Sequence, residues 1–368
     1  MPACAPRHSG EPSSRASSGA VIARIGRLSL FALLLFAPSG CLTLTYIAQA
    51  AAGQQDLNRR ARDIDQLVAE RRVDGRTRFL LSQVAVIKRF GEAHGLSTTN
   101  NYRQYVRVDR TSLVWVVSAS APLSFRSKSW TFPLVGSFTY LGWFHLEDAK
   151  RFAASLSAMN LDVDLRSGAA YSTAGFFEDP IVSTMIPADD EALGELADTV
   201  LHEMTHATFF VRQQSTLNES VANFTGRRLA EDYLDDTVGP DAKETNAYVT
   251  WEQTADRRGR AMQAAYDALE ALYGSSRSDA EKIEAKRALL ARLRDEVHFH
   301  RPINNATLIQ YRTYHSGQDE LGLLLGACGD RWPRFFASLK SLERGSFRSA
   351  QESDVGTIVR PLVEAGCP

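Results

Sequence analysis

The chain has 368 residues, of which 44% are hydrophobic and 23% are charged, the composition of an ordinary globular protein. The formal net charge of −1 gives no reason to expect nucleic acid as a partner, or electrostatic binding to anionic lipid. The interior shows no apolar run of about eighteen residues and no repeat of about 20–50 residues. An internal transmembrane helix, a solenoid and a propeller are therefore excluded.

Residues 1–40 are predicted to be a signal peptide. A basic region precedes an apolar run at 28–37, which at about ten residues is too short for a stable membrane anchor. Small residues then lead to Cys41, as in the lipobox of bacterial lipoproteins, where the lipidated cysteine becomes the first residue. A lipid on Cys41 is expected to anchor the chain to a membrane of the bacterial cell envelope, facing the periplasm. The alternative is plain secretion, with Cys41 as an ordinary thiol.

Two further cysteines, Cys328 and Cys367, remain after this processing. In an oxidising periplasm they are able to pair and pin the C-terminal tail. Spacing alone does not show that their Cα atoms are close, so the paired and unpaired forms both stay open.

In chain order, helical spacing marks 54–72 and 78–94, and Gly95 ends the second segment. β-Rich runs at 105–108 and 113–119 follow, and the Asp109-Arg110 turn between them predicts a hairpin. Further short strands, a helix at 147–159 and a strand at 161–165 make up a β-rich region of about 101–185.

From about residue 195 the chain is predicted to be almost all helix. Two helices cover about 195–236, and a long helix follows at 241–273. A capping box at Ser278 and Glu281 opens a helix that runs to about 300, and Asn304-Asn305-Ala306 opens another. The fold class is therefore α+β, with a small mixed β-sheet region followed by a mainly helical part at 241–368. Residues 41–368 are expected to form a single domain.

The strongest motif lies in an apolar run with helical character and has the pattern HExxH: Val200-Leu201-His202-Glu203-Met204-Thr205-His206. One helical turn separates the two histidines, so both imidazoles project from one face, about 5–6 Å apart at Cβ. That separation allows both to bind one Zn²⁺. Glu203 lies beside them, where its carboxylate can take a proton from a water on the metal. The structural alternative is a buried helix with two packed histidines.

A catalytic zinc site needs three protein ligands and one open position. Asn218-Glu219-Ser220 lies downstream at a predicted helix start, and Glu219 is well placed to supply the third ligand. The other nearby carboxylates, Glu231 and Asp232, lie at least three turns further along that helix. One zinc ion per chain is therefore expected, held by the two motif histidines and Glu219.

These motifs together resemble the bacterial predicted aminopeptidase family, zinc metalloproteins and predicted lipoproteins related to the gluzincins. The resemblance covers the chain from about Cys41 to the C terminus, and it combines HExxH with Tyr-Ser-Thr-x-Gly and Asn-Glu-Ser. The segments that carry it are the lipoprotein-type start, 46–50, 115–120, 140–144, 170–184, 200–206, 218–224 and 304–306.

The resemblance implies a zinc-dependent peptidase that removes N-terminal residues from peptide substrates. In the gluzincin pattern, His202, His206 and Glu219 bind the metal, and Glu203 is the catalytic base. Only twelve residues separate His206 from Glu219, fewer than in thermolysin-like enzymes, so the loop must be tight and the two helices close. Two other classes stay open: a zinc endopeptidase, and a non-catalytic cell-envelope lipoprotein that keeps the fold. No protein partner is indicated.

Such an enzyme needs a neutral or cationic donor beside the tetrahedral intermediate. The candidates in this sequence are Tyr171, Tyr311, Tyr314 and His315. An aminopeptidase also needs an acid for the substrate amine, and Glu178 or Asp179 is a candidate. The simpler explanation for either acid is a turn carboxylate that caps a backbone N–H.

Two asparagines are expected behind the metal ligands. Asn218 is predicted to cap the second metal helix and to orient Glu219, while Asn223 lies one turn later on the same face. His298 and His300 alternate rather than share a helical face, so they indicate a helix end in preference to a second metal site.

Overall fold

A computed structural model describes residues 37–132, 136–169, 178–349 and 351–367. The chain divides into two compact units, Met1–Ala51 and Ala52–Pro368, and each is considered by itself. The described residues of the first unit lie in a single helix. The described residues of the second unit contain all of the sheets and the other helices.

The described residues are mainly helical. The α-helices are α1 (Ala37–Arg60), α2 (Ile64–Glu70), α3 (Gly75–Ala93), α4 (Leu146–Ser157), α5 (Ala192–Thr208), α6 (Ser215–Thr237), α7 (Lys243–Gly274), α8 (Asp279–Glu296), α9 (Asn305–His315), α10 (Gln318–Ala327), α11 (Trp332–Lys340) and α12 (Val355–Ala365). The predicted capping box of α8 is present, since Ser278 N donates to Glu281 Oε2 at 2.9 Å. Asn304 caps α9, as predicted, and its Oδ1 accepts from Thr307 N at 3.2 Å.

The strands form three small sheets. They are β1 (Arg62–Asp63), β2 (Gln104–Val106), β3 (Val114–Ser120), β4 (Trp130–Phe132), β5 (Gly136–Phe138), β6 (Tyr140–Trp143), β7 (Asp162–Gly168) and β8 (Ile181–Val182). The sheet orders are β1-β2-β8, β6-β3-β7 and β4-β5. The pairing of β2 with β8 is parallel, and the other pairings are antiparallel. A mixed β region followed by helices confirms the α+β class.

The predicted hairpin between β2 and β3 is wrong. β2 pairs with β1 and β8, while β3 pairs with β6 and β7 along opposite edges. The reason is burial: six of the seven residues of β3 are buried, so this strand is central and needs a partner on each side. β6 and β7 occupy both edges and leave no edge for β2.

Helices α5 and α6 lie within the main hydrophobic core. Val200, Leu201 and Met204 of α5 and Val221 and Leu229 of α6 are fully buried there. Complete burial of such a side chain contributes roughly 1.5–3 kcal/mol. The faces of α5 and α6 that turn away from these residues are therefore held on a rigid support.

Buried polar groups tie the start of α9 to the start of β7, where Asn305 N donates to Asp162 Oδ2 at 2.9 Å. Lys286 of α8 donates to Asp162 Oδ2 at 2.5 Å and to the Pro122 carbonyl at 2.7 Å. Asn305, fully buried, donates to the Ala121 carbonyl at 3.0 Å and accepts from Tyr273 Oη at 2.7 Å. These bonds set the position at which α9 begins, and hence where its C-terminal half lies.

Two features bear on the sequence expectations at the chain ends. A disulfide joins Cys328, after α10, to Cys367, after α12, which is the paired form of the two that stayed open. None of the helices in the described part of the chain combines the length and apolar character of a membrane span.

Candidate active site

The HExxH motif lies on α5, with its apolar residues in the core and its histidines turned out of it. His202 and His206 are one turn apart, and their Nε2 atoms are 3.2 Å from each other. Their side chains are 18% and 21% exposed, so both are partly buried but accessible from solvent. His202, Glu203 and His206 offer ligand atoms that lie within 4.8 Å of one another, a group that could hold a metal ion.

Glu219, from α6, completes this arrangement. Its Oε2 is 3.4 Å from His202 Nε2, and its Oε1 is 3.7 Å from His206 Nε2. Tetrahedral zinc with bonds of about 2.0–2.1 Å separates its ligand atoms by roughly 3.3–3.4 Å. The two nitrogens and the Glu219 carboxylate thus form a triangle of the size that one zinc ion requires.

A glycine explains how α6 comes so close to α5. Gly226 lies two turns after Glu219, on the same face of α6. A Cβ atom there would lie 2.5 Å from Asp198 Oδ1, 2.9 Å from the Asp198 carbonyl oxygen and 3.1 Å from His202 N. Only a residue without a side chain lets the two backbones approach this closely. Gly226 therefore sets the distance at which Glu219 meets the histidines.

Asn218 orders the loop between the two helices but does not cap α6. The helix begins at Ser215 with Gln214 as its cap residue, so Asn218 lies in the first turn. Its Oδ1 accepts from Val211 N and its Nδ2 donates to Val211 O, both at 2.8 Å. The prediction placed the helix start too late, because Ser215 and Thr216 are also acceptable starting residues. The tight connection expected between the helices is nonetheless present.

Burial and charge act in opposite directions on the groups of this site. Burial lowers the pKa of His206 to about 4, helped by His202. Burial also lowers the pKa of His202, but the hydrogen bond and charge of Glu219 more than reverse this and leave it raised. Burial raises the pKa of Glu219, yet its bond to His202 and the charges of both histidines bring it below its ordinary value. The lowered pKa of His206 favours its neutral form and the lowered pKa of Glu219 favours its ionised form, the forms in which these two groups bind a divalent cation.

Glu203 is the fourth member of the group. Burial raises the pKa of its carboxyl, His202 lowers it in part, and the charges of Glu219 and Asp179 raise it further. Glu203 is therefore an acid in a partly dry setting, next to two other carboxylates. Such a group accepts a proton more readily than an ordinary glutamate.

The structure distinguishes the two acids that precede Pro180. Glu178 is exposed, and its charge acts on Lys88, whose Nζ donates to the Thr99 and Asn101 carbonyls. Asp179 is only 5% exposed, and its charge acts on Glu203. The Asp179 backbone holds the adjoining turn, since its carbonyl accepts from Tyr102 N at 2.7 Å. Of the two acids, Asp179 is the one whose charge reaches the centre.

Tyr102 is a neighbour of Glu203 that carries no sequence signal. Burial raises its pKa well above the ordinary value, and the charges of Glu203 and Asp179 raise it further. Its backbone has a φ of 65°, in the left-handed region that bulky residues avoid. Lys88 Nζ, donating to the Asn101 carbonyl at 2.9 Å, helps to hold this turn. Strain of this kind collects at functional sites, and only the fold places Tyr102 here.

The structure also distinguishes the four residues that were candidate donors to the tetrahedral intermediate. Tyr171 falls outside the described residues. Burial raises the pKa of Tyr314 well above its ordinary value, and the charge of Glu219 raises it further, so this hydroxyl is neutral and near the centre. His315 stacks on Tyr311, and its Cδ2 would lie 3.0 Å from a Cβ on Gly259. Tyr311 and His315 therefore pack towards α7, and Tyr314 is the described candidate on which the charge of Glu219 acts.

The remaining candidates have structural contacts. Asn223 donates to the Tyr314 carbonyl at 3.0 Å, so it fixes α9 against α6. α8 ends at Glu296, so His298 and His300 follow a helix end as predicted. Among the described residues, the His202 group is the single cluster of three possible metal ligands.

Asp198 is a second residue that sequence reasoning missed. Burial raises the pKa of its carboxyl to about 6, although His202 and Arg227 lower it in part. It precedes His202 by four residues on α5, and this spacing was the available signal.

The fold and these residues define a class: an α+β protein whose two central helices bring a His-Glu-His group and a further glutamate together. A family model described as "Putative aminopeptidase" matches residues 45–353. The chain belongs to this family, as the motifs predicted. No curated protein and no solved structure matches this chain.

Proposed function

We propose that this protein is a zinc-dependent peptidase of the gluzincin type that removes N-terminal residues from peptides. One observation carries the proposal: His202, His206 and Glu219 converge at 3.2–3.7 Å, with Glu203 beside them. The family contributes the expectation of aminopeptidase activity.

The chain's own residues fit one zinc ion. Two imidazole nitrogens and one carboxylate are the donor set of His₂Glu catalytic zinc sites, which leave a fourth position open. When bound, zinc supplies Lewis-acid activation of water and of the substrate carbonyl. His202, His206 and Glu219 would hold it, and their partial exposure leaves the opposite side open to substrate.

Glu203 is the general base and acid of the proposed reaction. Its carboxylate takes a proton from the attacking water as the water oxygen bonds to the peptide carbonyl carbon. The same carboxyl then gives that proton to the leaving amine nitrogen as the C–N bond breaks. Glu203 returns to its starting state, so one water is consumed for each peptide bond.

Tyr314 is the donor proposed for the developing oxyanion. A hydroxyl that stays neutral can donate a hydrogen bond to negative charge without adding charge of its own. It lies close enough to Glu219 for that carboxylate to raise its pKa. Asn223, bonded to the Tyr314 backbone, maintains this position.

Selectivity for a free amino end is assigned to Asp179. A substrate ammonium group needs a buried carboxylate at a fixed distance from the reacting carbonyl. Asp179 is buried, and its charge reaches Glu203. Glu178, the adjacent acid, is exposed and acts on Lys88 instead.

We also propose that Cys41 carries a lipid that anchors the protein to the cell envelope. The support is the basic and apolar N-terminal region and the small residues before Cys41. The mass of the N-terminal peptide of the membrane-extracted protein measures this. A Cys41 residue bearing acyl groups is expected, and a free thiol at that position contradicts it.

The decisive experiment measures zinc content and hydrolysis on the purified protein and on Glu203→Gln. The substrates are peptides of one sequence with a free or an acetylated amino end. The wild type should contain about one zinc and cleave the free-amine peptide, while Glu203→Gln should keep its zinc and lose roughly 10²- to 10⁴-fold in rate.

Two further variants test selectivity. Asp179→Asn should lose cleavage of the free-amine peptide, and Glu178→Gln, its adjacent control, should not. Equal cleavage of both peptides by the wild type would make the protein an endopeptidase. Stoichiometric zinc without any cleavage would leave a non-catalytic envelope protein, and no zinc binding would eliminate the metal site.

A further inference from the structure

Arg166 of β7 is a largely buried arginine whose donors are open. Its side chain is 24% exposed, and its Nε is buried with no hydrogen-bond partner in the described part of the chain. The Nε atom lies 3.8 Å from Asp164 Oδ2, which is beyond hydrogen-bonding distance. Burial of a charged donor without a partner costs free energy, and folded proteins normally avoid it. Arg166 is therefore suited to a ligand that the described residues do not supply.

The acid beside Arg166 is already engaged by other groups. Asp164 is buried, and its Oδ1 accepts from Thr307 Oγ1 at 3.1 Å and forms an ion pair with Arg301. Arg301 also packs on an aromatic ring, with its Cζ 4.8 Å from the centroid of Phe299. One carboxylate thus faces two guanidinium groups, which leaves a positive charge in excess at Arg166.

The strand register places Arg166 on the face of the sheet that α9 covers. Alternate residues of a strand point to the same face, so Arg166 points the same way as Asp162 and Asp164. Asp162 Oδ2 accepts from Asn305 N at 2.9 Å, at the start of α9. Asp164 bonds to Thr307, two residues further on. Arg166 follows on β7 and therefore lies beside a later turn of α9.

The dimensions of a strand and a helix identify that turn. From Asp162 to Arg166 the strand advances about 13 Å, at about 3.3 Å per residue. The same advance along α9 from Asn305 takes about nine residues, at about 1.5 Å each, and ends at Tyr314. The charge of Arg166 acts on the Tyr314 hydroxyl and lowers its pKa in part, in agreement with this position. Arg166 and Tyr314 are therefore neighbours.

The same end of α9 is bonded to α6 beside Glu219. Ser220, the residue after Glu219, donates through Oγ to the Thr313 carbonyl at 3.2 Å. Tyr314 follows directly, so β7 and α9 together bring Arg166 to the Tyr314 side of the candidate metal centre.

Asp179 and Arg166 belong to different sheets. Asp179 comes just before β8, in the β1-β2-β8 sheet, and its charge acts on Glu203. Arg166 lies in the β6-β3-β7 sheet, and its charge acts on Tyr314. The acid assigned to the substrate amine and the open guanidinium thus reach the centre from separate sheets. A carboxylate beyond the cleaved bond is the group that such a guanidinium binds.

We propose that Arg166 binds a carboxylate of the peptide substrate on the leaving-group side of the cleaved bond. This rests on the proposed function, because it presumes that a peptide lies at the metal centre with its amino end at Asp179. The carboxylate is either the C-terminal group of a short peptide or the side chain of an acidic second residue. A guanidinium binds both in the same two-pronged geometry. Short or acidic peptides are therefore the substrate class.

The test measures kcat and KM for four dipeptides with a free amino end: Ala-Ala, Ala-Ala-amide, Ala-Glu-amide and Ala-Gln-amide. If Arg166 binds the C-terminal group, kcat/KM should be about 10- to 100-fold higher for Ala-Ala than for its amide. If it binds a side chain, Ala-Glu-amide should have that advantage over Ala-Gln-amide. Equal kcat/KM within both pairs overturns the proposal.

Variants connect the advantage to this residue. Arg166→Gln should lower kcat/KM for the carboxylate peptide to that of its neutral partner, and Arg166→Lys should keep part of the advantage. Arg301→Gln is the matched control, because Arg301 pairs with the same Asp164, and it should keep the full advantage. Loss of the advantage in Arg301→Gln as well would show that both arginines act through Asp164, which overturns the proposal. If Arg166→Gln does not fold, Arg166→Lys takes its place, and an undiminished advantage in that variant overturns the proposal.

Calorimetric binding of the same peptides to Glu203→Gln separates this proposal from the proposed function. A carboxylate peptide should bind more tightly than its neutral partner, and adding Arg166→Gln should remove the difference in Kd. That result supports the role of Arg166 even where the wild type cleaves no peptide, an outcome that refutes the proposed function alone. Absence of any carboxylate preference in binding and in cleavage overturns the role of Arg166.

Discussion

The two halves of helix α7 face different surroundings. Its first half brings Tyr248, Glu252 and Asp256 to the α5–α6 pair, where they meet Arg227. Its second half brings Met262, Tyr266 and Leu269 into a separate apolar cluster with α8 and α9. We call the first region, where Tyr248, Glu252 and Asp256 surround Arg227 beside α5 and α6, the charged centre. We call the second region, the apolar cluster of α7, α8 and α9, the helical arm. A single helix thus supports a polar site at one end and packs as an ordinary core at the other.

The comparison shows that the charged centre is not built for stability. Burial raises the pKa of Glu252 to about 8, even though Arg227 lowers it in part. A buried ion pair seldom stabilises a fold more than well-packed apolar side chains of the same volume. The helical arm uses such side chains, with Phe125 stacked on Tyr266 at 3.6 Å between ring centroids. What the charged centre provides is a set of ion pairs that join α7 to α6 through Arg227.

Of the variants that test this difference between the two regions, Gly226→Ala, between α5 and α6, should change stability and zinc affinity the most. The new methyl group would meet Asp198 Oδ1 at 2.5 Å and backbone at 2.9 Å, so α5 and α6 must separate. Overpacking of this kind costs about 1–3 kcal/mol. The free energy of unfolding and the zinc affinity should both fall, as measured by denaturant titration and by chelator competition.

Gly326→Ala is the matched control for that change. Gly326 lies in α10, and a Cβ there meets nothing within 4 Å. Alanine should be neutral or stabilise the helix by up to about 1 kcal/mol, with zinc affinity unchanged. Equal behaviour of the two variants would mean that close approach at Gly226 does not hold the site together.

A smaller effect, confined to stability, is expected from Asn305→Ala at the base of the helical arm. The change leaves the Tyr273 hydroxyl and the Ala121 carbonyl without their buried partner. Loss of these bonds should cost about 1–3 kcal/mol in unfolding free energy. Zinc affinity should stay unchanged, since these groups do not contact the charged centre.

Asn246→Ala provides the comparison for Asn305. Asn246 is exposed, and its amide donates to carbonyls of its own helix start, Asp241 at 3.2 Å and Ala242 at 3.0 Å. Its removal should change stability little. A drop in zinc affinity in Asn305→Ala would show that the helical arm and the metal site are coupled, which contradicts their independence.

The smallest effect is a pH dependence at Glu195. Burial, with the charges of Glu191, Asp198 and Asp189, raises the pKa of Glu195 from 4.5 to about 7. The folded chain keeps this proton where the unfolded chain has lost it, so stability falls as pH rises from 4.5 to about 7. Glu195→Gln should therefore unfold at a higher temperature than the wild type at pH 8, by about 1 °C, and at the same temperature near pH 4.

The exposed acid Glu296 on α8 supplies the control for this measurement. Glu296→Gln should unfold at the wild-type temperature at both pH values. A gain at pH 8 that persists at pH 4 in Glu195→Gln would show that the amide stabilises α5 for a reason other than the lost charge.

Local pattern was enough to predict several features of this protein. The spacing of His202, Glu203 and His206 depends on one helical turn, and the caps at Ser278 and Asn304 depend on neighbouring residues. The order of a β-rich region before helices also follows from patterns read within a few residues. Glu219 was the furthest step, because its prediction rested on Asn218-Glu219-Ser220 at the start of a second helix and not on the spacing within one helix.

Tertiary structure alone decided the rest, because those features join segments that are distant in sequence. The hairpin prediction failed since periodicity shows that a strand is buried but does not show which strands flank it. The effect of the Asp179 charge on Glu203, the effect of the Glu203 charge on Tyr102 and the joining of Cys328 to Cys367 all link residues that are distant in sequence. Gly226 has no side chain, so the sequence carried no chemical signal of its role. Its role became visible only when α6 was placed against Asp198.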